Sequence, residues 1–296
     1  MTTERETAPA LALGKHGYRL APGIAAALSL GLSDVLVKVV AAAGCDVLTM
    51  LTFRSVFGML FVAIWLHFGA KSYADARVRF TSLAIGVLFT ALVFCLFEAI
   101  TVIDVPTAIL SYFAYPLLTG IAAALIGFEP FRWRGILCAL LAFFGLAVMI
   151  GAHPAGLVLA GVGFALGAAC CRTAVLLITR AWLVGADVRL TTWYSLLSST
   201  AIFVAASLAT RTWHGPQTTA GWTALLGLSL ATTAGIVFLF ISTVRIGPFR
   251  TALIMHLEPL TAVILSALML GEVITPIQGV GSAIMLAALV AFQLWR

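Results

Sequence analysis

Long apolar runs separated by short polar segments dominate the 296-residue chain. Each run is long enough for an α-helix to cross the hydrocarbon core of a bilayer, which takes about 20 residues. Gly, Pro and charged clusters divide the sequence into runs near 20–41, 47–68, 80–100, 105–126, 133–151, 156–179, 190–209, 219–242, 248–270 and 275–295. The pattern predicts an all-α membrane protein with ten transmembrane helices.

Composition supports this prediction and excludes a water-soluble protein. Hydrophobic residues make up 62% of the chain, charged residues only 9%, and the mean hydropathy is +1.12. Residues 1–19 precede the first apolar run and contain several charged residues. We interpret them as a cytoplasmic tail before a first span that is retained, rather than as a cleaved signal peptide. The five cysteines lack CxxC or Cys/His metal spacing, so we expect neither a metal nor a cofactor.

Basic residues are distributed unevenly between the two ends of the predicted spans. With the N-terminus in the cytoplasm, thirteen of the 17 basic residues lie inside and only Arg211 lies outside, while Lys38, Arg54 and Arg172 fall within spans. This split follows the positive-inside rule. It predicts an inner-membrane protein with both termini in the cytoplasm, and it explains the net charge of +6 without a nucleic-acid partner.

The two halves of the chain carry a related segment. Leu96–Glu129 and Leu239–Glu272 both open with Leu-Phe, contain a proline followed by leucine, and end in glutamate thirteen residues after that proline. Because each half has five spans, the halves must have opposite orientations in the membrane. The sequence predicts two inverted five-helix repeats, residues 20–151 and 156–296.

Several short motifs connect the chain to a known family. They are DVLVK at 34–38, LTFRSVFG around Arg54, TAIL and YPLL in span four, TALI and EPLTA in span nine, and LMLGE at 268–272. In these, the chain resembles the ten-helix members of the drug/metabolite transporter superfamily with two EamA-type repeats. The resemblance implies proton-coupled or facilitated movement of small metabolites. Within the family, it favours export of amino acids, including aromatic ones; exporters of nucleosides and purines or of drug-like compounds are the alternative.

Ionisable side chains inside spans are the strongest site signal, because each costs at least about 2.5 to 3.5 kcal/mol at mid-helix. Asp34 and Lys38 stand four residues apart on one helix face, either as a self-neutralising pair or as ligands of a zwitterionic substrate. Arg54 and Glu98 are candidate gating residues, and the resemblance favours a gating or structural ion pair for Arg54. Arg172 is a further candidate for coupling or gating, and it lies deep enough to face a cavity.

Prolines in the middle of spans four and nine predict helix breaks. Pro116 and Pro259 free backbone carbonyls at mid-membrane, and such breaks at equivalent places in inverted repeats often mark a substrate site. Around the first break, Ser111, Tyr112 and Tyr115 are candidate substrate ligands that offer hydroxyl groups and aromatic faces.

Beside the second break, His256 and Glu258 are titratable groups at mid-depth. We interpret His256 as a substrate ligand and Glu258 as a proton-coupling or gating residue, with a local packing network as the alternative. Small-residue pairs at Gly163–Gly167 and Gly279–Ala283 predict close helix packing.

Other function classes have less support in the sequence. The chain lacks the HExxH, GxSxG and GxGxxG signatures, so an intramembrane enzyme is the weaker alternative. No repeated filter-like loop suggests a channel. We expect an alternating-access transporter, not an enzyme, whose partners are a small-molecule substrate and the lipid bilayer, and which acts as a monomer.

Overall fold

The computed structural model of the protein describes residues 7–151, 158–211 and 213–294, and the side chains from residue 19 onward. The described residues form twelve helices: α1 (Thr7–Ala42), α2 (Val47–Phe68), α3 (Ala76–Val102), α4 (Val105–Tyr112), α5 (Tyr115–Leu125), α6 (Trp133–Ile150), α7 (Leu159–Trp182), α8 (Val188–Thr210), α9 (Thr219–Ile246), α10 (Pro248–Ile254), α11 (Leu257–Leu270) and α12 (Pro276–Leu294).

These helices give ten apolar spans, with α4 and α5 sharing one span and α10 and α11 another. The predicted all-α, ten-span architecture is thereby confirmed for the described part of the chain. Of the predicted tail, residues 1–6 lie outside the described residues, and the backbone of 7–19 is helical and forms the first part of α1. The predicted start of the second repeat at residue 156 also lies outside them.

Polar caps fix where several helices begin. A side-chain oxygen of the residue before the helix accepts a first-turn backbone N–H at 2.7 to 3.0 Å. The capping residues are Asp46, Asp75, Asp104, Asp187 and Thr218. Since unpaired N–H groups at a helix start need acceptors, these caps set the boundaries more sharply than hydropathy does.

Two spans are discontinuous at the same place in each half. Two residues interrupt the helix between α4 and α5, and two more between α10 and α11. Pro116 and Pro259 stand in the first turn of the helix that follows each break. Proline has no N–H and clashes with the carbonyl four residues earlier, that of Tyr112 or Met255, so a continuous helix is unfavourable there.

Helix packing repeats between the halves when each second-half helix is paired with the one numbered six lower. α1 packs on α9 as α7 packs on α3, α1 packs on α11 as α7 packs on α5, and α2 packs on α9 as α8 packs on α3. Exchanging the two halves turns the contact between α2 and α8 into itself, and it does the same for the contact between α6 and α12. The two five-helix halves therefore interlock around an approximate twofold axis.

Close backbone contact holds the outer pair α6 and α12 together. A Cβ added at Gly145 would lie 2.7 Å from the nitrogen of Met285, and one at Gly281 would lie 2.3 Å from the nitrogen of Met149. Gly145 and Met149 have the same spacing as Gly281 and Met285. The crossing thus uses one glycine from each half, which permits van der Waals contact between backbones.

The glycines that sequence spacing suggested for close packing lie elsewhere. An added Cβ would meet nothing within 4 Å at Gly163 or Gly279, and only the sulfur of Cys95, at 3.5 Å, at Gly167. The prediction of tight packing at Gly163–Gly167 and Gly279–Ala283 is therefore wrong at these glycines, because they do not face a neighbouring backbone.

Candidate functional site

A cavity of about 220 Å³ lies between the two halves, beside both helix breaks. Helices α1, α2, α3, α4, α7, α8, α9 and α11 all contribute to its wall. The lining residues are Leu30, Ser33, Asp34, Arg54, Ser55, Phe89, Leu92, Val93, Leu96, Tyr112, Arg172, Ser195, Leu196, Ser199, Phe203, Thr232, Thr233, Ile236 and Glu258. The cavity is thus assembled from both repeats, and side chains of both charge signs face it.

Four charged side chains from four helices line this cavity. Asp34 and Glu258 supply carboxylates, and Arg54 and Arg172 supply guanidinium groups. The charge of Asp34 interacts with the other three, and the charge of Glu258 interacts with that of Arg172. No direct ion pair joins two of these groups among the described side chains. Balanced but separated charges leave both signs available to a solute.

Asp34 occupies a special position among the four. It lies inside the helix bundle, yet its side chain is exposed because it borders open space rather than packed atoms. It also lines a second pocket of about 200 Å³ that contains Lys38, Ser266 and Glu272. Asp34 therefore stands where the central cavity meets the pocket at the end of α1.

Aromatic rings pack around the break between α4 and α5. The ring centroids of Tyr112 and Tyr115 are 5.3 Å apart, and Phe113 lies 5.3 Å from the first ring and 5.6 Å from the second. The guanidinium carbon of Arg172 is 5.7 Å from the Tyr115 ring centroid, within cation–π range. Arg172 is only 5% exposed, so this ring helps to hold its charge inside the bundle.

Some buried polar atoms near the breaks lack a hydrogen-bond partner among the described residues. They include the Thr232 hydroxyl and the His256 Nε2. The Nδ1 of His256 lies 3.1 Å from the carbonyl oxygen of Leu253. Unpaired polar atoms are rare in protein interiors because each costs free energy. These two lie beside the charged cavity, and others lie elsewhere in the bundle, at Ser82, Thr179 and Thr200.

Lys38 makes a different contact from the one its sequence position suggested. Its ammonium group donates to the Glu272 carboxylate at 2.8 Å and to the Ser266 hydroxyl at 3.2 Å. The partner is thus 234 residues away, and the self-neutralising pair with Asp34, one of the two interpretations of the sequence, does not form in the structure. Asp34 faces the cavity instead, on the same helix one turn earlier.

Four other predicted residues do not line the central cavity. Tyr115 and His256 are fully buried in the packing at the breaks, and the His256 ring contacts Phe113 at a centroid distance of 5.9 Å. Ser111 and Glu98 are half-buried and absent from the wall. Of the predicted ligand and gating residues, the structure brings Asp34, Arg54, Tyr112, Arg172 and Glu258 together.

Six hydroxyl side chains of serine and threonine line the cavity wall, and none of them was predicted from the sequence as a site residue. They are Ser33, Ser55, Ser195, Ser199, Thr232 and Thr233. For the four on α8 and α9, the sequence signal is the high serine and threonine content of α8 and of the middle of α9; Ser33 and Ser55, on α1 and α2, have no such signal. Among the described residues no group of three or more His, Cys, Asp or Glu is arranged to hold a metal ion.

Comparison with known proteins agrees with this architecture. None of the curated proteins matches the sequence. A solved crystal structure of another protein shares the fold with a TM-score of 0.77 at 16% identity, over 94% of this chain and 98% of that chain. The profile of the EamA-like transporter family matches twice, at residues 19–151 and 159–292, once in each five-helix half. The chain therefore belongs to the EamA-like transporter family, as an integral membrane protein with ten spans.

Proposed function

We propose that the protein exports small zwitterionic metabolites, most of all amino acids including aromatic ones, by alternating access. The observation that carries this proposal is the central cavity, in which two carboxylates and two guanidinium groups face open space beside Tyr112. Charged groups inside a membrane protein are expensive unless they are paired or have a function. Here their partner is the solute.

An amino acid matches the charges of the cavity. Its ammonium group needs a carboxylate, for which Asp34 is the exposed candidate, and its carboxylate needs a guanidinium group, from Arg54 or Arg172. Arginine presents a planar fork of donors that suits a carboxylate. Tyr112 offers an aromatic face and a hydroxyl group for the solute side chain.

Cavity size favours small solutes over drug-like ones. The volume of about 220 Å³ is below the range of about 300 to 1,000 Å³ usual for pockets of drug-sized ligands. Nucleosides and purines lack the ammonium and carboxylate groups that would satisfy both charge signs of the wall. An amino acid therefore pairs with more of the charged groups in this cavity than the alternative substrates do.

The inverted repeats support alternating access. The cavity lies between halves whose helices pack in equivalent ways, so rocking one half against the other exposes it to either side. The basic residues collect at one end of the spans, which supports cytoplasmic termini in the inner membrane. In this orientation the contact between Lys38 and Glu272 lies at the outer end and acts as a gate there.

Residues around the breaks have distinct roles in this proposal. Glu258, which interacts with Arg172, couples transport to protons or gates the cavity. Tyr115 holds the guanidinium group of Arg172, and His256 supports the second break; both act as positioning residues. The side chains that line the central cavity contact the substrate.

The direct test is a competition assay with the protein in proteoliposomes. Counterflow of radiolabelled phenylalanine is measured with excess unlabelled phenylalanine, its methyl ester, its N-acetyl derivative or a nucleoside. We expect only the free amino acid to compete, because the ester and the acetyl compound each lack one charge. Equal competition by the ester and the N-acetyl compound, or no counterflow of any amino acid, would refute the proposed substrate class.

Variants connect this activity to the cavity. Arg172→Gln removes a charge-assisted contact, worth about 1.5 to 3 kcal/mol, so we expect the apparent KM to rise roughly 10- to 150-fold. Tyr112→Ala should raise KM for phenylalanine more than for alanine. Tyr73→Ala is the matched control, because Tyr73 is 90% exposed outside the spans. Equal effects of the two tyrosine variants would remove Tyr112 from the site.

A further inference from the structure

A further cavity, larger than the two described above, lies at one end of the bundle, away from the central site. Its volume is about 610 Å³, and its wall joins the turn between α5 and α6, the ends of α7, α9 and α12, and the start of α10. None of its lining residues belongs to the wall of the central cavity. The cavity therefore needs an explanation of its own.

Five guanidinium groups border this cavity. They belong to Arg132, Arg134, Arg180, Arg245 and Arg250, and the one carboxylate in the wall is that of Glu129. Such an excess of one charge sign around a concave surface creates a strong local field for an ion of the opposite sign. The ligand that suits the cavity is an anion.

Protein groups satisfy only part of this charge. The Glu129 carboxylate accepts the backbone N–H of Phe249 at 3.0 Å, and a guanidinium nitrogen of Arg180 donates to the carbonyl of Val244. Among the described side chains, no direct ion pair joins Arg132 or Arg250 to a carboxylate. These two guanidinium groups keep their donors for a ligand.

The remaining wall is apolar and aromatic. Trp133, Phe249 and Phe292 line the cavity together with the arginines, and Trp133 is 63% exposed at the start of α6. Tryptophan concentrates at the depth of lipid headgroups. Helices α6 and α12 pack chiefly against each other at the edge of the bundle, so lipid has direct access to this side. A wall that combines guanidinium groups with aromatic rings suits an amphiphilic anion better than a bare ion.

We propose that this cavity binds the phosphate headgroup of an anionic phospholipid, with the guanidinium groups of Arg132 and Arg250 on the phosphate and Trp133 beside the acyl chains. Arginine holds phosphate by parallel N–H donors, and basic pockets between spans at the cytoplasmic side are suited to such headgroups. The bound lipid braces the turn between α5 and α6 against the start of α10. It thereby connects a first-half helix end to a second-half helix start.

Lipid titration of the purified protein tests the proposal. Apparent dissociation constants are measured by native mass spectrometry and by thermal unfolding, with phosphatidylglycerol, phosphatidylcholine, glycerol 3-phosphate and inorganic phosphate as separate ligands. We expect phosphatidylglycerol to bind and stabilise, and the other three to be far weaker. Equal stabilisation by glycerol 3-phosphate or inorganic phosphate would overturn the lipid assignment in favour of a soluble anion.

A charge-matched pair of variants separates the cavity from general surface attraction. Arg132→Gln with Arg250→Gln should weaken phosphatidylglycerol binding roughly 25-fold, about fivefold for each basic residue. Arg77→Gln with Arg79→Gln removes the same charge from exposed positions at the start of α3 and should change binding less than twofold. Equal losses in both variants would refute a specific site.

A third variant tests the site even if the first double variant does not fold. If the double variant at Arg132 and Arg250 does not fold, Arg134→Gln, at an exposed side chain on the same rim, should still weaken binding about fivefold. Unchanged binding in that variant would count against the proposal.

Discussion

Substitution of Gly281 by alanine should separate helices α12 and α6. The added Cβ would lie 2.3 Å from the nitrogen of Met149 and 2.6 Å from the carbonyl oxygen of Gly145. Ordinary contact begins at 3.4 Å, so the backbones must move apart by about an ångström. Because both atoms belong to backbone, no side-chain rotation can relieve the clash.

The expected cost follows from this geometry. Added volume in a well-packed interface costs about 1 to 3 kcal/mol, and a clash with backbone belongs at the upper end. Alanine also has a higher helix propensity than glycine by up to about 1 kcal/mol, which opposes the loss. Gly279→Ala, on the same helix with nothing within 4 Å, gains only the propensity. The two variants should therefore differ by about 3 kcal/mol.

The assay is equilibrium unfolding in mixed detergent micelles, with the transport KM of the folded fraction as a second measurement. Gly145→Ala should lie between the two α12 variants, since its nearest contact is 2.7 Å. KM should stay unchanged in all three, because neither α6 nor α12 lines the central cavity. If Gly281→Ala is as stable as Gly279→Ala, the close crossing is not the contact that holds these helices.

Two other predictions concern polar residues at helix starts. Asp46→Ala should destabilise the protein by about 2 kcal/mol, because it removes both a helix cap and the hydrogen bond from the His214 N–H. Asp75→Ala removes only a cap and should cost about 1 kcal/mol. Thermal unfolding measures both costs, and equal costs would contradict this prediction. Hydrogen bonds from the Arg189 side chain lower the pKa of Asp187 below 3.8. The charged form is thus favoured in the folded state, so its stabilisation is complete above pH 3.8 and is lost as the pH falls through the lowered pKa. The Tm difference between parent and Asp187→Asn should be constant near neutral pH and should shrink in acid. A Tm difference that grows in acid would contradict the lowered pKa of Asp187.

The spans were predictable because hydrocarbon imposes one simple requirement over about 20 residues. Their boundaries were less so. Hydropathy placed the start of span three near residue 80, yet α3 begins at Ala76, directly after the cap Asp75. Arg77 and Arg79 lower the hydropathy without stopping the helix, since arginine is a good helix former whose charged end reaches water.

Four of the charges inside spans marked the cavity, whereas Lys38 and Glu98 do not line it, and the pairing of the charges could not be predicted. Asp34, Arg54, Arg172 and Glu258 stand out in the sequence because burial of each is costly, and the structure gathers all four. The partner of Lys38 lies in the other half of the chain, which spacing along one helix cannot reveal.

Wall hydroxyls gave no such signal. Serine and threonine can satisfy themselves on the carbonyl one turn earlier, as Ser55 does on Leu51 at 2.8 Å, so a spanning helix carries them at little cost. Glycine spacing was equally uninformative, because it does not say which face of a helix meets a neighbour. Gly279 and Gly281 are two residues apart, yet only Gly281 touches another backbone.

The packing of the two halves is nearly equivalent, but the charges they carry are not. Counted from the prolines, Tyr115 in the first half corresponds to Glu258 in the second, so one break carries an aromatic ring and the other a carboxylate. In the alternating access proposed above, symmetric packing would give the two access states similar energies, because each state would use the same kinds of helix contact in exchanged roles. A symmetric charge pattern would instead present the same groups twice and would hold the two unlike ends of a zwitterion poorly. The chain therefore combines duplicated helix contacts, which suit the motion, with diverged side chains, which suit the proposed solute.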